Sequence, residues 1–170
     1  GLGCEWISVD GTRLKVTGRR RPFRFWRNKH PFNDYVEAQL AEDKAYQYED
    51  FVAAELPTPF TLKIFNPLAD PRFDRYKTHA SVAQIVEEVQ ARFDFPVVVK
   101  KARSSLAQGV FLEPDVASLE KRLAAIFAHS AFLDNIALVQ QFVAGAEYRV
   151  VASCDELLLA YGKEGEAAAG

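Results

Sequence analysis

The sequence predicts an α/β chain of the α+β type, in which helices flank an antiparallel sheet, and three observations support this. From residue 81 onward the apolar pattern changes in the order helix, strand, loop, strand, helix, strand, strand. The run Phe-Pro-Val-Val-Val-Lys at 95–100 is apolar and β-branched, as in a buried strand. Residues 5–16 alternate apolar and polar across Asp10-Gly11, which is typical of a β-hairpin.

The composition excludes several classes of protein. With 170 residues, 49% of them hydrophobic and 26% charged, the chain can form one sizeable core or two small lobes sharing one. A net charge of −2 argues against a general nucleic-acid or membrane binder. Cys4 and Cys154 are too few for a disulfide scaffold and lack metal-ligand spacing. No secretory signal or long apolar span is visible, so the expected compartment is the cytoplasm.

The first 60 residues predict a strand and two helices after the hairpin. Residues 19–27 interleave arginines with aromatic residues. They fit either a nucleic-acid patch with stacking rings or a strand whose rings face the core, and we favour the strand. Asn33 is placed to cap a helix over 34–40, and a second helix over 43–54 stops at Leu-Pro-Thr-Pro, 56–59.

The remaining elements follow from periodicity and turn signals. Residues 61–65 predict a strand, and 66–77, with two prolines, an irregular connection. Ser81 and Gln84 form a possible capping box for a helix over 82–93, and Asp115 caps another. Three strands are expected at 136–143, 147–154 and 157–161, and a frayed tail at 165–170. The residues expected to face the core from the two helices are Val82, Ile85, Val89, Phe93, Val116, Leu119, Leu123, Ile126 and Phe127.

The stretch 95–110 carries the strongest chemical signal. A buried strand delivers Lys100 into a loop of small and polar residues, and the chain resumes at Gly109-Val110. Backbone N–H groups of such a loop can close over a polyphosphate while the lysine adds a positive charge. Because an unpaired charge at the end of a buried strand is costly, a ligand-binding role is favoured for Lys100.

Four segments in this order resemble the ATP-grasp superfamily. Asp43-Lys44 resembles the family's lysine-bearing segment, and the Leu-Pro-Thr-Pro-Phe-Thr that follows it resembles the family's PxPxT element. Residues 95–100 resemble the central strand, and 103–110 the phosphate-covering loop. Leu-Val-Gln-Gln-Phe-Val-Ala-Gly-Ala-Glu-Tyr-Arg-Val-Val at 138–151 resembles the hinge vEEfi-x-G-x-E-y-R-v. The resemblance covers roughly 30–163 and is nearest to glutathione synthetases, cyanophycin synthetases, D-alanine–D-alanine ligases and peptide-forming glutamate ligases.

The resemblance implies an ATP-grasp fold with an incomplete C-terminal part. Residues 1–78 would lead into the fold, 79–146 would form the central nucleotide-binding lobe, and 147–170 would begin the C-terminal lobe. The implied activity is an ATP-dependent ligase that joins a carboxylate to an amine through an acylphosphate. The alternative is a non-catalytic ATP-binding or protein-interaction module. ATP and Mg²⁺ are the implied cofactors. The implied partners are small carboxylate and amine substrates, such as amino acids or peptides, without nucleic acid or membrane; a homo-oligomer is compatible.

The resemblance also assigns roles to residues, although it assigns none as catalytic. Lys44 and Lys100 would contact the phosphates, and the loop with Arg103, Ser104 and Ser105 would cover them. The hinge backbone at Gln140, Gln141, Phe142 and Val143 would pair with adenine, and Glu147 would bind the ribose hydroxyls.

The sequence departs from the family pattern at several points. Lys101 replaces a usual proline, the loop 102–108 lacks glycine, and Gln140 replaces a common glutamate. We expect Lys101 and Arg103 to compensate for the loop with charge. The family's magnesium ligands, which include Glu-x-Asn, have no counterpart, since Glu164 and Glu166 lie in a Gly/Ala-rich tail. The chain is therefore expected to be a piece of a longer enzyme or a degenerate binding domain.

Overall fold

The computed structural model describes residues 3–6, 12–17, 22–26, 29, 31–32, 34–104, 109–128, 135–153 and 156–163. The chain divides into two compact units, 1–47 and 48–170. Helix α2 crosses the boundary between them.

The first unit contains a three-stranded antiparallel sheet in the order β1-β2-β3. Its strands are β1 (Gly3–Trp6), β2 (Arg13–Thr17) and β3 (Pro22–Trp26). The pairing of β1 with β2 confirms the predicted hairpin, whereas Asp10-Gly11 lies outside the described residues. In β3, Phe23 and Phe25 are half-buried and Arg24 is exposed, which confirms the strand interpretation for residues 22–26, whereas 19–21 and 27 lie outside the described residues. Trp26 shares the exposed side of the strand with Arg24, because side chains alternate with a period of two.

Two helices follow the sheet, α1 (Tyr35–Glu42) and α2 (Lys44–Ala53). The Asp34 carboxylate accepts a hydrogen bond from the Val36 N–H at 2.8 Å and caps α1. The predicted cap at Asn33 was therefore wrong by one residue. Asp43 separates the helices and starts the second, because its Oδ1 accepts from the Ala45 N–H at 3.0 Å.

The second unit is built on a four-stranded antiparallel sheet in the order β4-β7-β5-β6. Helices α3 (Val82–Arg92) and α4 (Val116–Ala128) accompany it, and β8 (Glu147–Ser153) and β9 (Glu156–Lys163) form a separate antiparallel hairpin. The strands of the sheet are β4 (Thr61–Phe65), β5 (Val97–Lys101), β6 (Val110–Glu113) and β7 (Ile136–Gln141).

One face of this sheet packs against α3 and α4 and forms the core. The predicted apolar sides of both helices are confirmed, since Ile85, Val89, Leu119 and Leu123 are fully buried. We call the sheet surface that they cover the helix face. It is formed by Leu62, Ile64, Val97, Val99, Phe111, Ala137 and Val139.

The connection between β4 and α3 is more ordered than the sequence predicts. It contains a 3₁₀ helix, Pro71–Tyr76, which Asp70 caps by accepting from the Arg72 N–H at 3.0 Å. The buried Asn66 side chain donates to the Phe127 carbonyl and to Asn135 Oδ1. These bonds tie the start of the connection to α4 and β7.

Candidate functional site

The face of the sheet opposite α3 and α4 carries the polar residues. The strand register aligns Thr61, Gln140, Val98 and Leu112 in one cross-strand row. The next row contains Lys63, Leu138, Lys100 and Val110. Because successive side chains of a strand point to opposite faces, these eight residues lie opposite the helix face. We call this surface the polar face.

A chain of hydrogen bonds crosses three strands of the polar face. The Lys100 ammonium donates to Gln140 Oε1 at 2.5 Å. Gln140 Nε2 donates to Thr61 Oγ1 at 2.8 Å, and the Thr61 hydroxyl donates to the Pro59 carbonyl at 2.9 Å. Since the Gln140 amide is neutral, its contact with Lys100 leaves the positive charge of the lysine in place.

Lys63 lies in the same row of the polar face as Lys100. It forms an exposed ion pair with Glu49, in the second half of α2. The neighbouring Tyr48 hydroxyl accepts from the Thr61 N–H at 3.3 Å. Leu138 lies between Lys63 and Lys100 in its row and is buried. Tyr48 and Glu49 of α2 therefore border the polar face on its β4 side.

The residues that follow Lys100 lie at the end of β5 and beyond it. Lys101 lies on the other face of β5, where its side chain lies beside Gly109. Strand alternation directs Lys100 and Lys101 to opposite faces, so the compensation of the loop by the charges of Lys101 and Arg103 stays a prediction. Arg103 is exposed and Ser104 half-buried after the strand, and Ser105 lies outside the described residues.

The predicted hinge begins where β7 ends. Strand β7 stops at Gln141, two residues earlier than predicted, because its ladder with β5 ends at the Val97–Gln141 pair. The Gln141 N–H donates to the Phe60 carbonyl at 2.8 Å. Phe142 and Val143 are exposed beyond the sheet.

The hinge then reaches β8 through a residue with a positive φ. Gly145 has φ of 152°, a conformation that glycine adopts without steric cost. Glu147 is the first residue of β8 and is exposed. An exposed carboxylate immediately after a turn of this kind can accept hydrogen bonds from two adjacent hydroxyls.

A cleft lies at the same end of the sheet as the hinge. It has a volume of about 320 Å³, and half of its lining residues are phenylalanines. The Arg92 guanidinium lies 4.8 Å from the centre of the Phe60 ring. The lining residues are Phe60, Arg92, Phe93, Asp94, Phe95, Pro96, Gln141 and Phe142.

Lys44 belongs to the first unit and starts α2. Partial burial, the larger cause, lowers the pKa of this lysine, and the adjacent Asp43 carboxylate acts in the opposite direction. Of the predicted site residues, the structure brings Lys100 and Gln140 into direct contact. Thr61 is hydrogen-bonded to Gln140, although the sequence predicts no functional role for it. It belongs to the Leu-Pro-Thr-Pro-Phe-Thr segment, but its contact with Gln140 depends on the β4–β7 pairing.

The described part of the chain does not fit the magnesium ion that the resemblance implies. Within it, no group of three or more His, Cys, Asp or Glu side chains is arranged to hold a metal ion. Glu164 and Glu166 lie outside the described residues. Of the helices that the structure describes, none combines the length and apolar character needed to cross a membrane.

Comparison with known proteins agrees with this architecture. The model of the RimK-like ATP-grasp domain matches residues 61–166, which include β4 to β9. The fold is similar to the RimK domain protein ATP-grasp from Sphaerobacter thermophilus DSM 20745, with a TM-score of 0.55 and 20% identity over 75% of this chain and 43% of that chain. It is also similar to the VanG D-Ala:D-Ser ligase from Enterococcus faecalis, with a TM-score of 0.54 and 20% identity over 74% of this chain and 32% of that chain.

The chain thus spans less than half the length of these two structures. No curated protein matches it. The family model nevertheless covers more than half of the 170 residues, including every strand of the polar face. The chain therefore belongs to the RimK-like ATP-grasp family.

Proposed function

We propose that the polar face binds ATP as part of a ligase that joins a carboxylate to an amine. The observation that carries the proposal is the Lys100 ammonium, which a neutral amide holds on a sheet face free of α3 and α4. Such an ammonium can donate to phosphate oxygens or to a ring nitrogen. The loop at Arg103 and Ser104 would add phosphate contacts. The hinge from Gln140 to Val143 would bind adenine, and Glu147 would bind ribose.

The proposed reaction has two steps. A carboxylate oxygen attacks the γ-phosphorus of ATP, the bond to the β-phosphate oxygen breaks, and ADP leaves. The amine nitrogen then attacks the acyl carbon, loses a proton, and displaces inorganic phosphate to give an amide. This chemistry depends on positioning and charge stabilisation. We assign Lys100 to binding and orienting the nucleotide and assign no catalytic residue.

The test compares two neighbouring lysines on opposite faces of β5. Lys100→Ala is expected to weaken ATP binding at least tenfold, because it removes charge-assisted hydrogen bonds, each worth about 1.5–3 kcal/mol. Lys101→Ala makes the same change of charge in the same strand and is expected to alter the affinity less than about twofold. Titration calorimetry of the full chain with ATP, with and without Mg²⁺, measures both values.

Equal losses in the two variants would refute the site, because they would indicate a general charge effect. Failure of the unaltered chain to bind ATP would refute the proposed function. In parallel, phosphate release in the presence of amino-acid mixtures separates a ligase from an ATP-binding module: release that depends on both a carboxylate and an amine supports the ligase.

A further inference from the structure

The orientation of the Gln140 side-chain amide is fixed independently at both of its ends. A lysine ammonium has only donors, so the Gln140 atom that faces Lys100 must be the carbonyl oxygen. At the other end, the Thr61 hydroxyl directs its one hydrogen to the Pro59 carbonyl. The Thr61 oxygen is left to accept, so the Gln140 atom that faces it must be the NH₂ group.

The strands hold these groups in place. Thr61 and Gln140 are directly opposite each other in the β4–β7 register, and Thr61 is only 5% exposed. Lys100 lies in the next row, diagonal to Gln140 on the adjacent strand. Side chains at opposite and diagonal cross-strand positions are within reach of each other. Because water is largely excluded from Thr61, its hydrogen bonds are stronger than they would be at the surface.

The neutral amide also has an electrostatic consequence. A glutamate at position 140, the residue common in the family, would form an ion pair with the lysine and offset its charge. Gln140 holds the ammonium with a hydrogen bond and, being neutral, does not itself offset the charge. A carboxylate has no hydrogen to donate to Thr61, whereas an amide does. Thr61 and Gln140 therefore form a matched pair.

We infer that Thr61 is a positioning residue that acts through Gln140 on Lys100 and directs the lysine ammonium towards an anionic phosphate group of the nucleotide. The identity of the anion rests on the proposed function, whereas the positioning of Lys100 does not. Thr61 itself need not touch the nucleotide.

The first test uses the full chain without nucleotide. Thr61→Val removes the hydroxyl, keeps the shape, and retains a β-branched residue suited to a strand. Thr61→Ser retains the hydroxyl. The rate at which a small acetylating reagent modifies the Lys100 amine, followed by peptide mass spectrometry, is expected to rise about threefold in Thr61→Val, because the ammonium loses its oriented acceptor. The rate in Thr61→Ser is expected to match the unaltered chain.

The second test is a double-mutant cycle on ATP affinity, measured by calorimetry. Thr61→Val alone is expected to weaken binding about three- to tenfold. In a Gln140→Ala background the same substitution is expected to add less than twofold, because Thr61 acts through Gln140. Circular dichroism of each variant confirms that it is folded.

The outcomes separate the two proposals. Equal acetylation rates in the folded unaltered and Thr61→Val chains would overturn the positioning role, even if ATP binds. Additive losses in the double-mutant cycle would also overturn it. A rise in the Thr61→Val rate, reversed in Thr61→Ser, combined with no ATP binding by the unaltered chain, would uphold the positioning of Lys100 and refute the nucleotide site.

Discussion

The two faces of the β4-β7-β5-β6 sheet are made by the same strands but are stabilised in different ways. On the helix face, Val97, Val99 and Val139 are fully buried against α3 and α4. On the polar face, residues from the same strands form specific pairs: Gln140 bonds to both Thr61 and Lys100, and Lys63 pairs with Glu49.

The difference teaches that the helix face is stabilised mainly by apolar burial, whereas the polar face also holds specific polar contacts. Each large aliphatic side chain buried on the helix face contributes about 1.5–3 kcal/mol. A hydrogen bond on the polar face contributes a net of about 0.5–1.5 kcal/mol, since it replaces a bond to water. Substitutions of exposed residues on the polar face should therefore affect folding less than substitutions of buried residues on the helix face.

The largest expected effect comes from a pair of leucines, one on each side of the sheet. Leu119 on α4 is fully buried in the core, whereas Leu112 lies on the polar face of β6 and is 44% exposed. Leu119→Ala is expected to lower the free energy of unfolding by roughly 2–5 kcal/mol, because it removes buried area and leaves a cavity. Leu112→Ala is expected to cost about 1 kcal/mol or less.

Urea denaturation of the two variants, analysed with a common slope, measures this difference. The comparison between the faces would break down if Leu112→Ala cost as much as Leu119→Ala. That result would mean that the polar face is as tightly packed as the core and that Leu112 is covered in solution.

A second substitution tests how the helix face accommodates a charge. The Glu113 carboxylate at the end of β6 is buried and accepts from Arg122 Nε at 2.7 Å. The Arg122 guanidinium also lies 3.8 Å from the centre of the Phe111 ring. Arg122→Met is expected to cost about 2 kcal/mol, less than the roughly 3–5 kcal/mol of a fully buried pair, because the arginine side chain is 38% exposed.

The control for Arg122→Met removes the charge of its partner as well. Glu113→Gln in the Arg122→Met background is expected to recover part of the lost stability, because a buried amide costs less than an unpaired carboxylate. Urea denaturation of both single variants and the double variant gives the coupling energy. No recovery in the double variant would mean that Arg122 stabilises the protein through its packing on Phe111 rather than through Glu113.

The helix face was predictable from the sequence because its signals are local. The β-branched run at 97–99 and the apolar spacing around Leu119 and Leu123 each predict a buried surface without knowledge of the partner. The position of Lys100 near the end of its strand was likewise predictable, although the strand continues through Lys101, whose N–H donates to the Gly109 carbonyl.

The polar face was only partly predictable because its contacts are not local. Gln140 and Thr61 are 79 positions apart in sequence and meet only because β4 pairs with β7. The 3₁₀ helix at Pro71–Tyr76 was hidden for a different reason: two nearby prolines predict an irregular segment, although a proline at the first turn is compatible with a helix. Family resemblance supplied Lys100 and Gln140 as site residues, and the strand register supplied Thr61.

The smallest expected effect concerns a polar network at the outer side of α3. The Glu88 carboxylate bonds to Arg92 Nη1 at 2.5 Å and to His79 Nε2 at 2.6 Å, and so links the helix to the connection that precedes it. The hydrogen bond from Arg92, the largest cause, and the bond and charge of His79 lower the pKa of Glu88 below its usual 4.5, while partial burial acts in the opposite direction.

A carboxylate whose pKa is lower in the folded chain contributes stability that is fully present above the unfolded pKa and is lost as the pH falls through the folded pKa. The free-energy difference between the unaltered chain and Glu88→Gln is therefore expected to be constant above about pH 5 and to shrink below it. Urea denaturation at a series of pH values measures that difference.

Glu87→Gln is the matched control, since Glu87 is an exposed neighbour on the same helix. The free-energy difference between the unaltered chain and Glu87→Gln should not vary with pH in the same way. If the Glu88→Gln difference stayed constant down to about pH 3, the network would not stabilise the folded chain through the Glu88 charge, and the attachment of α3 would depend on its apolar contacts with the helix face.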